Sequence, residues 1–185
     1  FVGSVATFFS TADVEPTTWK YVTDAPASEE WMNSTFDDAA WGEGLACFGN
    51  KRSNYKINTP WTTSDLWLRK KANFKDFSKE DLKSLELKVV SDGEFQVYVN
   101  GVQIASVTGT GVKNETIKLT DEAIEAVKLS GEATIAIHNY RKTAQKVFDA
   151  SIRRVNMSFS EIFKKSFLEG YASAEITTFT IIVAL

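Results

Sequence analysis

The alternation of apolar and polar positions is the clearest pattern in the chain. Residues 95–100, FQVYVN, place an apolar side chain at every second position, which is typical of a strand with one buried face. Asn100-Gly101 then supplies the two positive-φ residues of a tight hairpin turn, and residues 102–104 resume the alternation. This stretch therefore predicts a hairpin corner.

Strand-like runs recur along most of the chain, with turn signals between them. About eight are predicted: 19–22, 66–74, 84–90, 94–100, 102–107, 115–119, 133–140 and 146–155. Because they do not alternate regularly with helices, parallel βαβ architecture is disfavoured. The pattern predicts an all-β fold, an antiparallel β-sandwich with one or two short helices.

Two helices fit the remaining periodicity. Thr120 is positioned to cap residues 121–129, and Gly131 to end that helix. A second helix is predicted at 160–169, followed by a β-branched final strand at 175–185 that could pair with the apolar N-terminal run. Residues 42–65, rich in Gly, Asn, Thr and Ser, are predicted as the longest loop.

Composition excludes several classes of protein. A net charge of -3 without a basic stripe argues against nucleic-acid binding. No stretch reaches the roughly 20 apolar residues that a membrane helix needs, so no membrane span is predicted. At 185 residues the chain is long enough for one core without disulfides, and its lone Cys47 is expected to be buried.

Few residues are arranged for chemistry. One His and one Cys, far apart, exclude a zinc centre. His138 would have to serve any Ser-His-Asp set, but it lies within a strand and no nucleophile elbow accompanies it. No cofactor is predicted. A calcium ion held by oxygen atoms stays open, and the candidate donors are Asp37, Asp38, Asp92 and Asn139.

One constellation of motifs is specific. Residues 19–50, WKYVTDAPASEEWMNSTFDDAAWGEGLACFGN, are followed by TPWTTSDLWLRKKANF and DGEFQVYVNGV. Their order resembles the galactose-binding-like jelly-roll domains attached to β-galactosidase-like glycoside hydrolases and other carbohydrate-active secreted proteins. The resemblance covers roughly residues 17–153. Residues 156–185 match nothing in it, and GEATIAI lacks an Asn that many relatives carry, which weakens the transfer of ligand specificity.

The resemblance implies a structural role for the most prominent aromatic residues. Phe36 and Trp41 flank a turn whose carboxylates can bond local backbone N–H groups, so both rings are expected in the core. Trp67 and Arg69 share one face of their strand, where the indole can pack while the guanidinium bonds nearby. Asn100-Gly101 is expected to remain a corner.

Sugar-binding relatives usually hold their ligand at loops on one end of the sandwich. On that basis the predicted ligand-binding residues are Tyr55 and Trp61, which could stack on a pyranose ring, with Asn139, Tyr140 and Arg141 supplying hydrogen bonds. Packing of these side chains within the loops is the competing interpretation. No catalytic or metal-binding residue is predicted.

The predicted function is that of a non-catalytic, carbohydrate-binding accessory module of a carbohydrate-active enzyme. Its partners would be a carbohydrate, such as a galactoside or a plant or host glycan, and an adjoining catalytic domain. Two alternatives stay open: a structural module that buttresses a catalytic domain without binding glycan, and a hydrolase fragment with a polar cleft around His138 and Asp149. We expect one domain over residues 1–185.

The location is expected to be extracellular or periplasmic. The chain begins and ends within apolar runs, so we expect a mature form or a segment excised from a longer enzyme. Three N-x-[ST] sequons, at Asn33, Asn114 and Asn156, suit an exported eukaryotic protein without establishing one.

Overall fold

A computed structural model describes residues 4–9, 11–12, 15–50, 55–142 and 144–157. Its strands are β1 Ser4–Phe9, β2 Thr18–Val22, β3 Gly42–Leu45, β4 Phe48–Gly49, β5 Thr59–Pro60, β6 Asp65–Asn73, β7 Leu85–Asp92, β8 Glu94–Val99, β9 Val102–Val107, β10 Val112–Lys118, β11 Glu132–Tyr140 and β12 Val147–Met157. Two α-helices, α1 Lys79–Lys83 and α2 Asp121–Ser130, and a 3₁₀ helix at Glu29–Met32 complete the described structure. No described helix has the length and apolar character to cross a membrane.

The strands form two sheets that pack face to face. The first sheet has the order β10-β7-β12-β4-β5, with β1 also paired to β12, and the second has the order β3-β2-β6-β11-β8-β9. All described pairs are antiparallel except β4 and β5. The predicted all-β sandwich is therefore confirmed.

The core lies between the sheets because each long strand turns its apolar alternate positions inward. The second sheet contributes Leu66 and Leu68 of β6, and Phe95 and its alternate neighbours on β8. Leu87 and other alternate residues of β7 and β12 meet them from the first sheet. The same alternation leaves the intervening residues of β6, β8 and β11 on the outer face.

The hairpin corner and one helix form as predicted. Asn100 and Gly101 adopt φ angles of 50° and 85° between β8 and β9. The Thr120 side chain caps α2 by accepting a hydrogen bond from the Ala123 backbone N–H, and Gly131 ends it with φ 74°. Cys47 is buried, as expected.

Two regions differ from the sequence-based predictions. The stretch 42–65 contains β3, β4 and β5 rather than one continuous loop, and α1 was not predicted. The apolar N-terminal run forms β1 and pairs with β12. The helix predicted at 160–169 and the strand predicted at 175–185 lie outside the described residues, so they stay predictions.

Residues 23–41 lie against the outer face of the second sheet and are called the cover segment. Trp31 and Trp41 from this segment form a small second core with Trp67 and Ala136 of the sheet, and Phe36 packs beside them. The Phe36 and Trp41 rings meet edge to face, with centroids 5.8 Å apart. One face of the sandwich is thus partly covered, and the uncovered part borders the site described below.

Candidate functional site

Three side chains lie opposite one another across the middle of the second sheet. His138 of β11 is in register with Trp67 of β6 on one side and with Gln96 of β8 on the other. All three point away from the core, because their chain neighbours are the inward-facing residues. The imidazole of His138 stacks on the indole of Trp67, with ring centroids 4.4 Å apart and planes 4° from parallel.

A hollow of about 250 Å³ separates this row from the cover segment. Its walls include Pro26, Glu29 and Trp31 from the cover segment, and Tyr98 from β8. Trp31 meets Tyr98 edge to face, with ring centroids 5.7 Å apart. Two aromatic side chains therefore border the row on this side.

A second hollow, of about 210 Å³, lies on the other side of the row. Glu94, Ser106, Thr108 and Tyr140 line it, together with Gln96 and His138, which belong to both hollows. The two hollows and the row between them form one surface, the His138 groove, defined by Trp31, Trp67, Gln96, Tyr98, His138 and Tyr140.

The polar atoms of the groove are partly held by neighbours. His138 Nε2 lies 2.7 Å from Asp65 Oδ1, and both side chains are about a quarter exposed. The Tyr98 hydroxyl donates to Gln96 Oε1 at 3.0 Å. These bonds orient the imidazole and the amide while leaving their remaining donors and acceptors to a ligand.

Arg69 secures the wall that the cover segment provides. Its guanidinium is 1% exposed and donates to Asp38 Oδ2 at 2.8 Å and to the carbonyl oxygens of Trp31, Asn33 and Phe36. A planar guanidinium has enough donors in fixed directions to satisfy all four acceptors at once. The prediction that Arg69 bonds near a packed Trp67 agrees with this geometry.

The five predicted ligand-binding residues do not come together. Tyr140 lines the His138 groove, whereas Tyr55 is 44% exposed and lines a cavity on the outer side of the first sheet with Cys47 and Asp149. Ligand contact by Tyr140 and by Tyr55 stays a prediction, now at two separate places.

Trp61 is placed inside the sandwich rather than on a loop surface. It is 1% exposed, its Nε1 donates to the Asp65 carbonyl at 3.0 Å, and the Lys146 ammonium lies 5.2 Å from its ring centroid. This burial corrects the prediction that its ring stacks on a sugar. The sequence carries no local signal for this burial, because β5, the two-residue strand just before Trp61, forms only by pairing with β4.

Asn139 and Arg141 are also engaged within the protein. Asn139 is 0% exposed, and its Nδ2 donates to Ser91 Oγ. It alternates with His138 and Tyr140 along β11, so it faces the core while they face out, which corrects its predicted ligand contact. Arg141 is paired with Asp92 at 3.2 Å, and its role in binding stays a prediction.

The proposed oxygen donors for a cation have other partners. Asp37 accepts from the Ala39 backbone N–H, as expected of a turn residue, and Asp38 is paired with Arg69. Asp92 is paired with Arg141. Within the ranges that the structure describes, no group of three or more His, Cys, Asp or Glu side chains could hold a metal ion.

The polar cleft suggested around His138 and Asp149 is not formed. Asp149 lies on the outer side of the first sheet, where its Oδ2 accepts from the Ala12 backbone N–H. The cavity that Asp149 lines also includes Cys47 and Lys88. His138 faces the opposite side of the sandwich. The cleft was therefore a wrong prediction, because residues from two sheets' outer faces cannot share one ligand.

No protein-family model matches the chain, and no curated protein matches its sequence. Solved structures do match its fold. A Bacteroides uniformis β-glucuronidase gives a TM-score of 0.54 at 11% identity, covering 82% of this chain and 18% of that one. A Lactobacillus rhamnosus β-glucuronidase gives a TM-score of 0.50 at 14% identity, covering 82% of this chain and 28% of that one.

A glycosyl hydrolase family 2 member from Bacteroides cellulosilyticus matches with a TM-score of 0.49 at 13% identity, covering 82% of this chain and 20% of that one. At these identities the similarity establishes the fold alone. The chain spans less than a third of each of these proteins, and the galactose-binding-like resemblance is compatible with them. The chain has the β-sandwich fold of a domain-sized part of the two β-glucuronidases.

Proposed function

We propose that the chain is an accessory sandwich domain of a larger carbohydrate-active enzyme, that it binds glycan in the His138 groove, and that it has no catalysis of its own. The observation that carries the proposal is the row of Trp67, His138 and Gln96 between two hollows, in which Gln96 is exposed and His138 is about a quarter exposed. The fold similarity to parts of glycoside hydrolases supports the accessory role.

The chemistry of the groove suits a sugar. A pyranose has an apolar face of C–H groups and a rim of hydroxyls, so it needs flat apolar surfaces beside donors and acceptors. The rings of Tyr98, His138 and Tyr140 supply the surfaces. The Gln96 amide and the hydroxyls of Ser106 and Thr108 supply hydrogen bonds within the second hollow.

The expected binding is weak at one site. The groove is open, so much of a bound sugar would stay in water and the buried area would be small. Beside a catalytic domain such affinity becomes useful, because tethering raises the effective concentration of enzyme at the glycan. An extracellular or periplasmic location fits that role and is part of the proposal.

The test is a titration of the chain with neutral oligosaccharides of galactose, glucose and xylose, followed by Trp fluorescence. Trp31 and Trp67 report on the groove. We expect saturable quenching, and we expect Tyr140→Ala and Gln96→Ala each to weaken binding by roughly tenfold, or about 1.4 kcal/mol. Tyr55→Ala is the matched control, because this exposed tyrosine lines the cavity on the outer side of the other sheet. Loss of binding only in Tyr55→Ala would move the site there.

A structural module that buttresses a catalytic domain without binding glycan is the second candidate. The burial of Trp61 and Asn139 favours it, because both were expected to form the sugar site at the loops. It predicts a flat response to every oligosaccharide from a protein whose circular dichroism and cooperative unfolding show that it is folded.

A further inference from the structure

We propose that the His138 groove selects uncharged glycans and discriminates against those containing uronic acids. This inference rests on the proposed function and adds the class of ligand. It is carried by three carboxylates, Glu29, Asp65 and Glu94, placed around the two hollows. The β-glucuronidases that share the fold are named for an acidic sugar, which this groove would disfavour.

The first observation is the register of the strands at Tyr140. Tyr140 is directly opposite Asp65 on β6 and directly opposite Glu94 on β8. Side chains directly opposite across antiparallel strands have Cβ atoms about 5 Å apart. A sugar stacked on the Tyr140 ring would therefore lie between two carboxylate-bearing positions.

The third carboxylate borders the other hollow. Glu29 belongs to the cover segment and lines the hollow together with Trp31, Tyr98 and His138. Its charge reaches the groove, since the pKa of Tyr98 is raised above its usual value by burial and then by Glu29. Both ends of the groove thus carry negative charge.

Cations near the groove offset only part of this charge. The Lys142 ammonium lies 5.8 Å from the Tyr140 ring centroid, and Lys142 and Lys146 both have charge interactions with Asp65. Among the ion pairs formed by the described residues, none includes Glu29 or Glu94. These two charges therefore act on any ligand in the groove.

A uronate carboxylate would meet like charge at either end. Repulsion between unit charges several ångströms apart at a protein surface is enough to change an affinity several-fold, and salt screens it. We expect a uronic acid oligomer to bind at least about fivefold more weakly than its neutral counterpart, equivalent to about 1 kcal/mol. This difference in affinity should decrease as the ionic strength rises.

The experiment compares matched pairs of trisaccharides on the whole chain by calorimetry at pH 7.5. The probes are the β-1,4-linked trimers of glucose and of glucuronic acid, and the α-1,4-linked trimers of galactose and of galacturonic acid, in 20 mM and 500 mM NaCl. The variants are Glu94→Gln and Glu29→Gln, which preserve shape and remove charge. Glu115→Gln on β10 is the control, since it removes the same charge from the first sheet.

We expect the neutral trimer to bind more tightly than the uronic acid trimer, and this difference in affinity to be smaller in 500 mM NaCl. The difference should also shrink in Glu94→Gln and Glu29→Gln but not in Glu115→Gln. Equal or tighter binding of the uronic acid trimer would overturn the inference while leaving glycan binding intact. A difference in affinity that neither groove variant changes would also overturn the inference. Absence of binding by every trimer would overturn the proposed function and the inference together.

Discussion

Arg69 provides a polar anchor for the cover segment, whose Trp31 and Trp41 also pack on the sheet. Its guanidinium is buried, pairs with Asp38 and satisfies three backbone carbonyls of the cover segment. Those carbonyls lie in the last turn of the 3₁₀ helix and in the backbone after it, where no described neighbouring strand bonds them. One residue of β6 therefore adds several hydrogen bonds to the aromatic packing that holds the groove wall in place.

Replacing Arg69 with Met should be among the most destabilising single changes in this chain. The substitution removes the guanidinium from Asp38 and from three carbonyls, of which that of Asn33 still accepts from the Phe36 backbone N–H, and breaking a buried pair in this way typically costs about 3–5 kcal/mol. Urea unfolding followed by Trp fluorescence measures the loss in the free energy of unfolding.

Lys71→Met is the matched control for Arg69→Met. Lys71 lies two residues further along β6 and forms an exposed pair with Glu132, a kind of contact worth about 0–1 kcal/mol. Similar losses in the two variants would show that the guanidinium does not secure the cover segment.

Cys47 should be unreactive in the folded protein up to alkaline pH. Burial, and then the charge of Asp149, raise the pKa of its thiol from 9.0 to about 12. Thiolate is the reactive form, so iodoacetamide should modify native protein far more slowly than urea-unfolded protein at pH 8.5, as measured by mass spectrometry. Equal rates would contradict the buried placement.

The raised pKa of Cys47 also makes the free energy of unfolding depend on pH. Between pH 9 and pH 12 the folded state keeps the thiol proton and the unfolded chain loses it, so the unfolded state binds fewer protons. The contribution of Cys47 to the free energy of unfolding is therefore complete below pH 9 and falls as the pH rises towards 12. Cys47→Ala removes this contribution.

The β8–β9 hairpin is an element whose corner is tied to a neighbouring strand. Asn100 Oδ1 accepts from the Thr134 backbone N–H at 2.7 Å, and its Nδ2 donates to the Glu132 carbonyl at 2.8 Å. The corner is thus fixed to the start of β11, which explains why an Asn with positive φ sits there rather than a second glycine.

Asn100→Gly tests that anchor without disturbing the turn. Glycine keeps the positive φ and removes only the side-chain bonds, leaving the buried Thr134 N–H without its partner, at an expected cost of about 1–3 kcal/mol. Thermal unfolding by circular dichroism measures the change. Gln103→Ala, an exposed change on β9, should shift stability by less than about 0.5 kcal/mol, and a comparable loss there would contradict the anchor.

The sequence predicted those elements whose pattern of residues lies within the element itself. The alternation in 94–100 and 133–140 gave β8 and β11, and the cap and glycine around 121–130 gave α2. Strands β4 and β5 are two residues each and exist through their pairing with each other and, for β4, with β12. The pairing of β4 with β12 lies outside any window of sequence around residues 42–65, so the region was predicted as a loop.

At the scale of the whole molecule, the site depends on register between distant strands. Alternation shows that His138 and Tyr140 share a face, and separately that Trp67 and Arg69 do. Only the pairing of β11 with β6 and β8 brings Trp67 and Gln96 beside His138. A sequence-based search for loops at a strand end therefore named Tyr140, which lines the groove, but not the other residues of the sheet face.

The two outer faces of the sandwich also bear on catalysis. Hydrolysis of a glycosidic bond needs two carboxyl groups flanking it, one of them kept protonated, usually by a desolvated environment. In the His138 groove Glu29 and Glu94 are exposed to water and Asp65 is bonded to His138, while Asp149 lies on the other face.

We therefore expect the chain alone to release no nitrophenol from nitrophenyl galactosides, glucosides or glucuronides, even where it binds neutral oligosaccharides. The measurement is absorbance over a day at protein concentrations near 100 µM, with His138→Ala and Glu94→Gln as paired samples, a setting that exposes even slow turnover. Turnover that disappears in Glu94→Gln but survives in Glu115→Gln would show that the groove is an active site. In that case the accessory role would be wrong, although the fold would stand.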